Sequence, residues 1–318
     1  MAAVSRVVGP RSGAKAFLGR YGLLIAFLAL IAFFSLASDR FLQPNNILNI
    51  LRQSAINGII AVGMMIVILT RGIDLSVGAV LALSSVFAAQ AVKADQNAVN
   101  ALIIALAVGA SCGLINGVLV AYVRIPAFIA TLGMMTAARG VALSVTEGRP
   151  VSGFPEAFRQ LGTSFVGPIP TPVIIAGAVF LIGYVLLYHT PLGRQIFGVG
   201  DNEQAAYLSG LATRRITIFV YVLVGTLSAL AGVILIGRLN STQPTAGMGY
   251  EFDAIAAVVV GGTSFSGGEG TLIGTLIGVL LIGVLANGLN ILNVPAAYEG
   301  VVQGVVIAAA LLLYRLAR

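Results

Sequence analysis

Apolar runs about as long as a bilayer is thick recur along nearly the whole chain, and they constrain the fold more than any other feature. A helix needs ~20 apolar residues to cross the hydrocarbon core. Such runs fall at 22–37, 47–69, 75–92, 99–123, 125–145, 173–188, 216–236, 254–265, 272–292 and 300–316. The second carries Arg52 and Asn57 near its start, and the eighth is short and interrupted by glycine. Composition agrees: 58% of residues are hydrophobic and 9% charged, where a soluble domain carries roughly 25% charged residues. Mean hydropathy is +1.01. A soluble chain this apolar could not cover its own surface, so its expected solvent is lipid. The expected fold is an all-α polytopic membrane bundle of about ten transmembrane helices.

Basic residues orient the bundle, because Lys and Arg collect on cytoplasmic loops. Arg6, Arg11, Lys15 and Arg20 precede the first run without an acidic residue among them. Alternation through ten spans then places Arg71, Arg124, Arg194, Arg214, Arg215, Arg315 and Arg318 on the same side. Arg40, Arg52, Lys93, Arg149, Arg159 and Arg238 fall on the other, and Arg139 lies within a span. Both termini are therefore expected in the cytoplasm. Residues 1–20 read as a basic cytoplasmic segment and 21–318 as the membrane domain. Ser35-Leu36-Ala37-Ser38 is similar to a signal-peptidase site, but the long basic region and the many following spans point to an uncleaved first helix. The net charge of +7 follows from loop placement, and no aromatic-basic patch suggests a nucleic-acid partner. Cys112 is the single cysteine, which excludes an intramolecular disulfide.

Little catalytic chemistry is present. A phosphate-binding loop needs Gly-Lys-Ser/Thr after a glycine-rich turn. Neither lysine, Lys15 or Lys93, follows a glycine, so ATP-Mg is expected on another polypeptide and no cofactor on this one. His189 and Cys112 are too few for a zinc site. Charges inside a membrane domain suggest function, which singles out Asp74, at a break between two runs where it can cap the next helix, and Arg139. Ser76, Asn116, Thr131, Asn287 and Asn290 join them as neutral hydrogen-bonding candidates for a solute route. Asn57, Ser84 and Gln303 are further semi-buried polar positions. No deep titratable carboxylate or histidine suits proton coupling. The 39 glycines suit close helix packing, or broken helices that line a cavity.

Two long polar stretches interrupt the runs. Residues 147–171 are rich in proline and glycine and are expected to be irregular. Residues 190–217 contain Gly200-Asp201-Asn202-Glu203-Gln204-Ala205-Ala206-Tyr207-Leu208-Ser209-Gly210. Asp201 or Asn202 suits a helix start, Glu203 its positive end and Gly210 its stop. A short cytoplasmic helix of about two turns is expected there.

Four stretches resemble the ribose-type sugar permease family of ABC importers. They are Gly72-Ile73-Asp74-Leu75-Ser76-Val77-Gly78, the run from Pro126 through Met135 with Arg139-Gly140, the 200–210 segment, and the run from Gln243 through Ser264. The likeness extends from about residue 21 to the C-terminus. It implies a dimeric inner-membrane permease for ribose or a related sugar such as xylose, arabinose or galactose. It also implies a periplasmic sugar-binding protein and a cytoplasmic ATP-binding subunit. By position the 200–210 segment is similar to the coupling helix, with Gly200, Asp201, Asn202, Glu203, Ala205, Ala206, Leu208, Ser209 and Gly210 as its residues. The alternative from another class is a stand-alone secondary transporter or facilitator.

Overall fold

The computed structural model describes residues 13–95 and 97–295, with positions 298, 300–302, 304, 305 and 308 beyond them. Five long helices come first: α1 (Gly13–Ala37), α2 (Pro44–Leu69), α3 (Val77–Asp95), α4 (Ala98–Ala121) and α5 (Ala127–Thr146). A connection follows, with β1 (Val151–Ser152), α6 (Glu156–Thr163), β2 (Phe165–Val166) and β3 (Ile169–Pro170). Next come α7 (Thr171–His189), α8 (Pro191–Asp201), α9 (Glu203–Leu208) and α10 (Thr213–Leu239). β4 (Ser241–Thr242), α11 (Tyr250–Val260) and α12 (Leu272–Ile291) complete the series. Among the described residues, seven helices are long and apolar enough to cross a membrane: α2, α3, α4, α5, α7, α10 and α12. The apolar part of α1, Gly22–Ala37, is shorter.

The bundle is built around α10, which packs on α2, α3 and α4. Val220, Val224, Ala229, Ala231, Val233 and Ile236 on it are fully buried. Lipid supplies no hydrophobic drive between helices, so close backbone approach has to hold them. Glycine permits that approach. A Cβ on Gly113 would strike the backbone of Tyr221 and Val222, and one on Gly109 the Gly225 carbonyl. Gly63 of α2 meets Val224, with 3.0 Å from its Cβ position to the Val224 Cα. Gly261 and Gly278 let α11 lie against α12 at Gly274 and Ala257.

The two ends of the bundle differ. At one end β1 pairs antiparallel with β4, Val151 opposite Thr242. α6 lies there on α10, with Phe158 fully buried and Gly162 against the backbone of Ile234 and Gly237. The other end carries α8 and α9.

Three expectations are corrected. The eighth run does not form a helix over 254–265. The helix is α11, Tyr250–Val260, of 11 residues. It starts earlier, after the left-handed Gly249, and stops at the glycines Gly261 and Gly262. At 1.5 Å per residue it spans about 16 Å, half a bilayer. The 147–171 stretch is not wholly irregular: Glu156–Thr163 forms a helix because Phe158 finds a buried slot beside α10. In 190–217 there are two helices rather than one. Thr190 caps α8, its side chain accepting from Gly193 N at 3.1 Å, so Gly200 and Asp201 close α8 instead of opening the expected helix. Asn202 alone is the cap of α9, its Oδ1 accepting from Ala205 N at 2.9 Å. The last expected run, 300–316, lies largely outside the described residues.

Glycine packing at α10 is testable. Gly113→Leu should lower the melting temperature of the detergent-solubilised protein, because overpacking costs about 1–3 kcal/mol or more where backbone must move. Gly177→Leu, on a glycine with open space around it, should leave the melting temperature nearly unchanged.

Candidate functional site

The chain leaves α2 at Leu69 and re-enters the bundle before α3. Backbone that is not helical has no ladder of its own, and at depth in a membrane protein it must be satisfied by side chains. Asp74 does this first. Its Oδ1 accepts from Ser76 N at 2.8 Å and from Ser76 Oγ at 2.6 Å. Asn116 of α4 donates from Nδ2 to Ser76 Oγ at 3.0 Å. Thr131 of α5 accepts from Leu75 N at 3.1 Å and donates to Ala127 O at 2.9 Å. Asp74 and Ser76 are 1% exposed, and Asn116 and Thr131 are fully buried. Four of the residues picked out from the sequence thus form one polar knot, tying the start of α3 to α4 and α5.

The other three go elsewhere. Asn287 exchanges hydrogen bonds with Asn46 near the start of α2, at 2.9 and 3.0 Å. That lies about 35 Å along α2 from its Leu69 end. Asn290 is exposed one turn further on. Arg139 reaches a second irregular segment, 243–249, donating from Nη1 to Pro244 O at 2.7 Å and to Ala246 O at 2.8 Å. Glu251 accepts from Gly249 N at 3.4 Å at the far end of the same segment. Gly247 has φ +67° and sits against Gly78, where neither glycine has room for a Cβ. The second broken stretch therefore meets the first turn of α3, just beyond the first break, inside the bundle. Gln243, Thr245, Ala246 and Gly247 also line a cavity of about 260 Å³ with the last turns of α10, Ser241 and Tyr250.

At the α9 end, three backbones touch. Arg71 takes the left-handed conformation, φ +62°. This directs its guanidinium onto the last carbonyls of α8: Nε donates to Gly200 O at 2.6 Å and Nη2 to Asp201 O. Those carbonyls lack helical partners and sit at the negative end of the α8 dipole, where a cation is favoured. Gly268 N donates to Leu69 O at 3.0 Å. A Cβ on Gly200 would strike Leu69 O, and one on Gly268 would come within 3.0 Å of Asp201. Beyond this latch α9 projects outward. Asp201, Asn202, Glu203, Ala205, Ser209 and Gly210 are exposed. Tyr207 and Leu208 are 68% and 76% exposed. Ala206 is buried and anchors α9 on the bundle. Sequence reasoning passed over Arg71 and Tyr207. Arg71 shows no acidic partner in the sequence because its acceptors are backbone carbonyls. Tyr207 lies within the 200–210 segment but was not among its chosen residues, and α9 places it exposed at the tip. Among the described residues no group of His, Cys, Asp and Glu is arranged to hold a metal ion.

Residues 46–311 match the family described as branched-chain amino acid transport system / permease component. The chain is similar to the ribose import permease protein RbsC of Escherichia coli strain K12, 51% identical over 96% of this chain and 97% of that one. It is 50% identical to the RbsC of Bacillus subtilis strain 168, over 93% and 92% of the two chains. It is 40% identical to the D-allose transport system permease protein AlsC of Escherichia coli strain K12, over 94% and 93%. No solved structure matches.

The polar knot predicts coupling between its members. In a double-mutant cycle of Ser76→Ala and Asn116→Ala, measured by detergent unfolding, the two effects should be non-additive by roughly 0.5–3 kcal/mol. Strict additivity would mean that the two side chains do not share the bond.

Proposed function

We propose the function from one premise: this chain belongs to the branched-chain amino acid transport system / permease component family. It is the membrane-spanning subunit of an ABC importer that carries ribose across the bacterial inner membrane, driven by ATP hydrolysis on a separate subunit. The observation that carries this is near-full-length identity, at about one residue in two, to ribose import permeases from several bacteria. That identity favours an importer subunit over a stand-alone facilitator.

The partners follow from that role. A periplasmic binding protein captures the sugar, so the permease has no need to hold it tightly. An ATP-binding subunit holds ATP-Mg on the cytoplasmic side, and a second permease copy completes the conduit. The basic residues orient the chain with both termini and the α9 end in the cytoplasm. Ten crossings result when the apolar part of α1, the half-length α11 and the run 300–316 are added to the seven long helices.

Coupling then has a physical route. ATP binding draws the nucleotide subunits together, and their surface pushes on the exposed Tyr207 and Leu208 of α9. The push is passed to the α8 carbonyls that Arg71 grips. Arg71 lies three residues before Asp74, whose knot moves the start of α3 together with α4 and α5. The chain thus offers a mechanical path from the docking surface to the depth of the bundle. Hydrolysis and release reverse it.

Two variants test the route in the complete transporter reconstituted in liposomes. Leu208→Asp, or Glu203→Arg, should abolish ribose uptake and loosen co-purification with the ATPase, while ribose capture by the binding protein stays intact. Arg71→Gln should keep the ATPase bound but lower ribose moved per ATP by about tenfold, the worth of a charge-assisted hydrogen bond. Normal uptake by Leu208→Asp and Glu203→Arg would remove α9 from the docking surface.

A further inference from the structure

We infer that the irregular segment 243–249 faces the sugar's route, and that the cavity it forms with α10 and Tyr250 is a contact site for a neutral polyhydroxylated solute. This rests on the import function proposed above, which names the cargo but no side chain that touches it.

Depth is the first ground. The segment leaves β4 beside the end of α10 and descends until Gly247 lies against Gly78 and Leu81 of α3, 3.0 Å from Leu81 Cδ2. Leu81 in turn packs on Gly232 of α10, seven residues and about 10 Å short of that helix's end. The segment therefore runs inside the span of the long helices. Its backbone is not helical between Thr242 and Tyr250. Such backbone is not found against lipid, only against protein or a water-filled cavity. Yet Gln243, Thr245 and Met248 are exposed on it. Lipid is thus excluded for this face, which meets either water along the route or the second permease copy, and we assign it to the route.

Chemistry is the second ground. The cavity is lined by Ser241, Gln243, Thr245 and Tyr250 against an apolar floor that includes Leu235 and Leu239. A few convergent polar groups on an apolar wall are the usual composition of a small-molecule site. Hydroxyls and a carboxamide donate and accept, as a sugar's hydroxyls require. Tyr250 offers a ring with an apolar face and a polar tip. No Asp, Glu, Lys or Arg lines the cavity. At about 260 Å³ the cavity suits a monosaccharide. Arg139 holds the segment's carbonyls from the other side, and Gly247 and Gly249 set its turns with φ +67° and +90°. The side chains are thus presented on a fixed backbone.

The test uses the complete transporter in liposomes, in a Cys112→Ala background. Thr245→Cys should react with a charged, membrane-impermeant methanethiosulfonate at least about tenfold faster than Ile182→Cys, an exposed position on α7, because thiolate forms only in water. The pair Gln243→Ala and Thr245→Val should lower ribose moved per ATP by about tenfold or more. Stimulation of the ATPase by the loaded binding protein should remain, and Thr245→Ser should restore transport. Labelling no faster than Ile182→Cys, or unchanged ribose per ATP in the double variant, would overturn the assignment. If the unmodified transporter moved no ribose, the import function would fail on its own, and the labelling rates would still decide whether the segment faces water.

Discussion

A bilayer offers no hydrogen-bond partner to a peptide group, and this structure is organised by that single fact. Long helices satisfy their own backbones. The two places where the chain abandons the helix inside the bundle are therefore the most heavily supported by side chains. Between α2 and α3 the support is Asp74, Ser76, Asn116 and Thr131. Between β4 and α11 it is Arg139 and Glu251. The second break touches the first turn of α3, Gly247 against Gly78. Each buried polar group costs free energy unless it is paired, and at the first break Asp74, Ser76 and Thr131 find their partners in the backbone and in one another.

Glycine serves the same economy. With backbone against backbone at Gly109, Gly113 and Gly225, α4 and α10 have little slack between them. A stiff pair transmits displacement instead of absorbing it, because close-packed interiors are not continuously deformable. The latch at Arg71 follows the same logic. Gly200, Gly267 and Gly268 bring three stretches of chain together, with the Arg71 side chain packed on Gly267, and its guanidinium locks the junction.

Much of this was legible in the sequence. Hydropathy located every long helix among the described residues, since ~20 apolar residues have one economical conformation in lipid. The run of α11 misled because hydropathy is blind to where the backbone turns: the helix begins at Tyr250, before the apolar run, and Gly261 and Gly262 end it short of Phe265. Asp74 was readable as a polar residue at a break, but its carboxylate holds Ser76 just ahead of α3 and not the first N–H groups of the helix. Its knot with Asn116 and Thr131 was not readable, since those contacts cross 40 residues and more of chain. Asn287 looked equivalent to Asn116 and is instead fastened to Asn46. Arg71 and the 243–249 cavity were hidden for a common reason: their partners are backbone groups or empty space, and neither leaves a letter in the sequence.

Labour in such an importer is divided between proteins. Capture is left to a secreted receptor and energy to a cytoplasmic ATPase. What remains for this chain is a low-affinity polar path, and a rigid link that opens it on one side at a time. Flux measured in liposomes tests that division most directly. The purified permease alone should move no ribose above background, and uptake should appear only when ATPase, binding protein and ATP are all present. Ribose entry down its gradient through the permease alone, at a rate unaffected by ATP, would contradict the account.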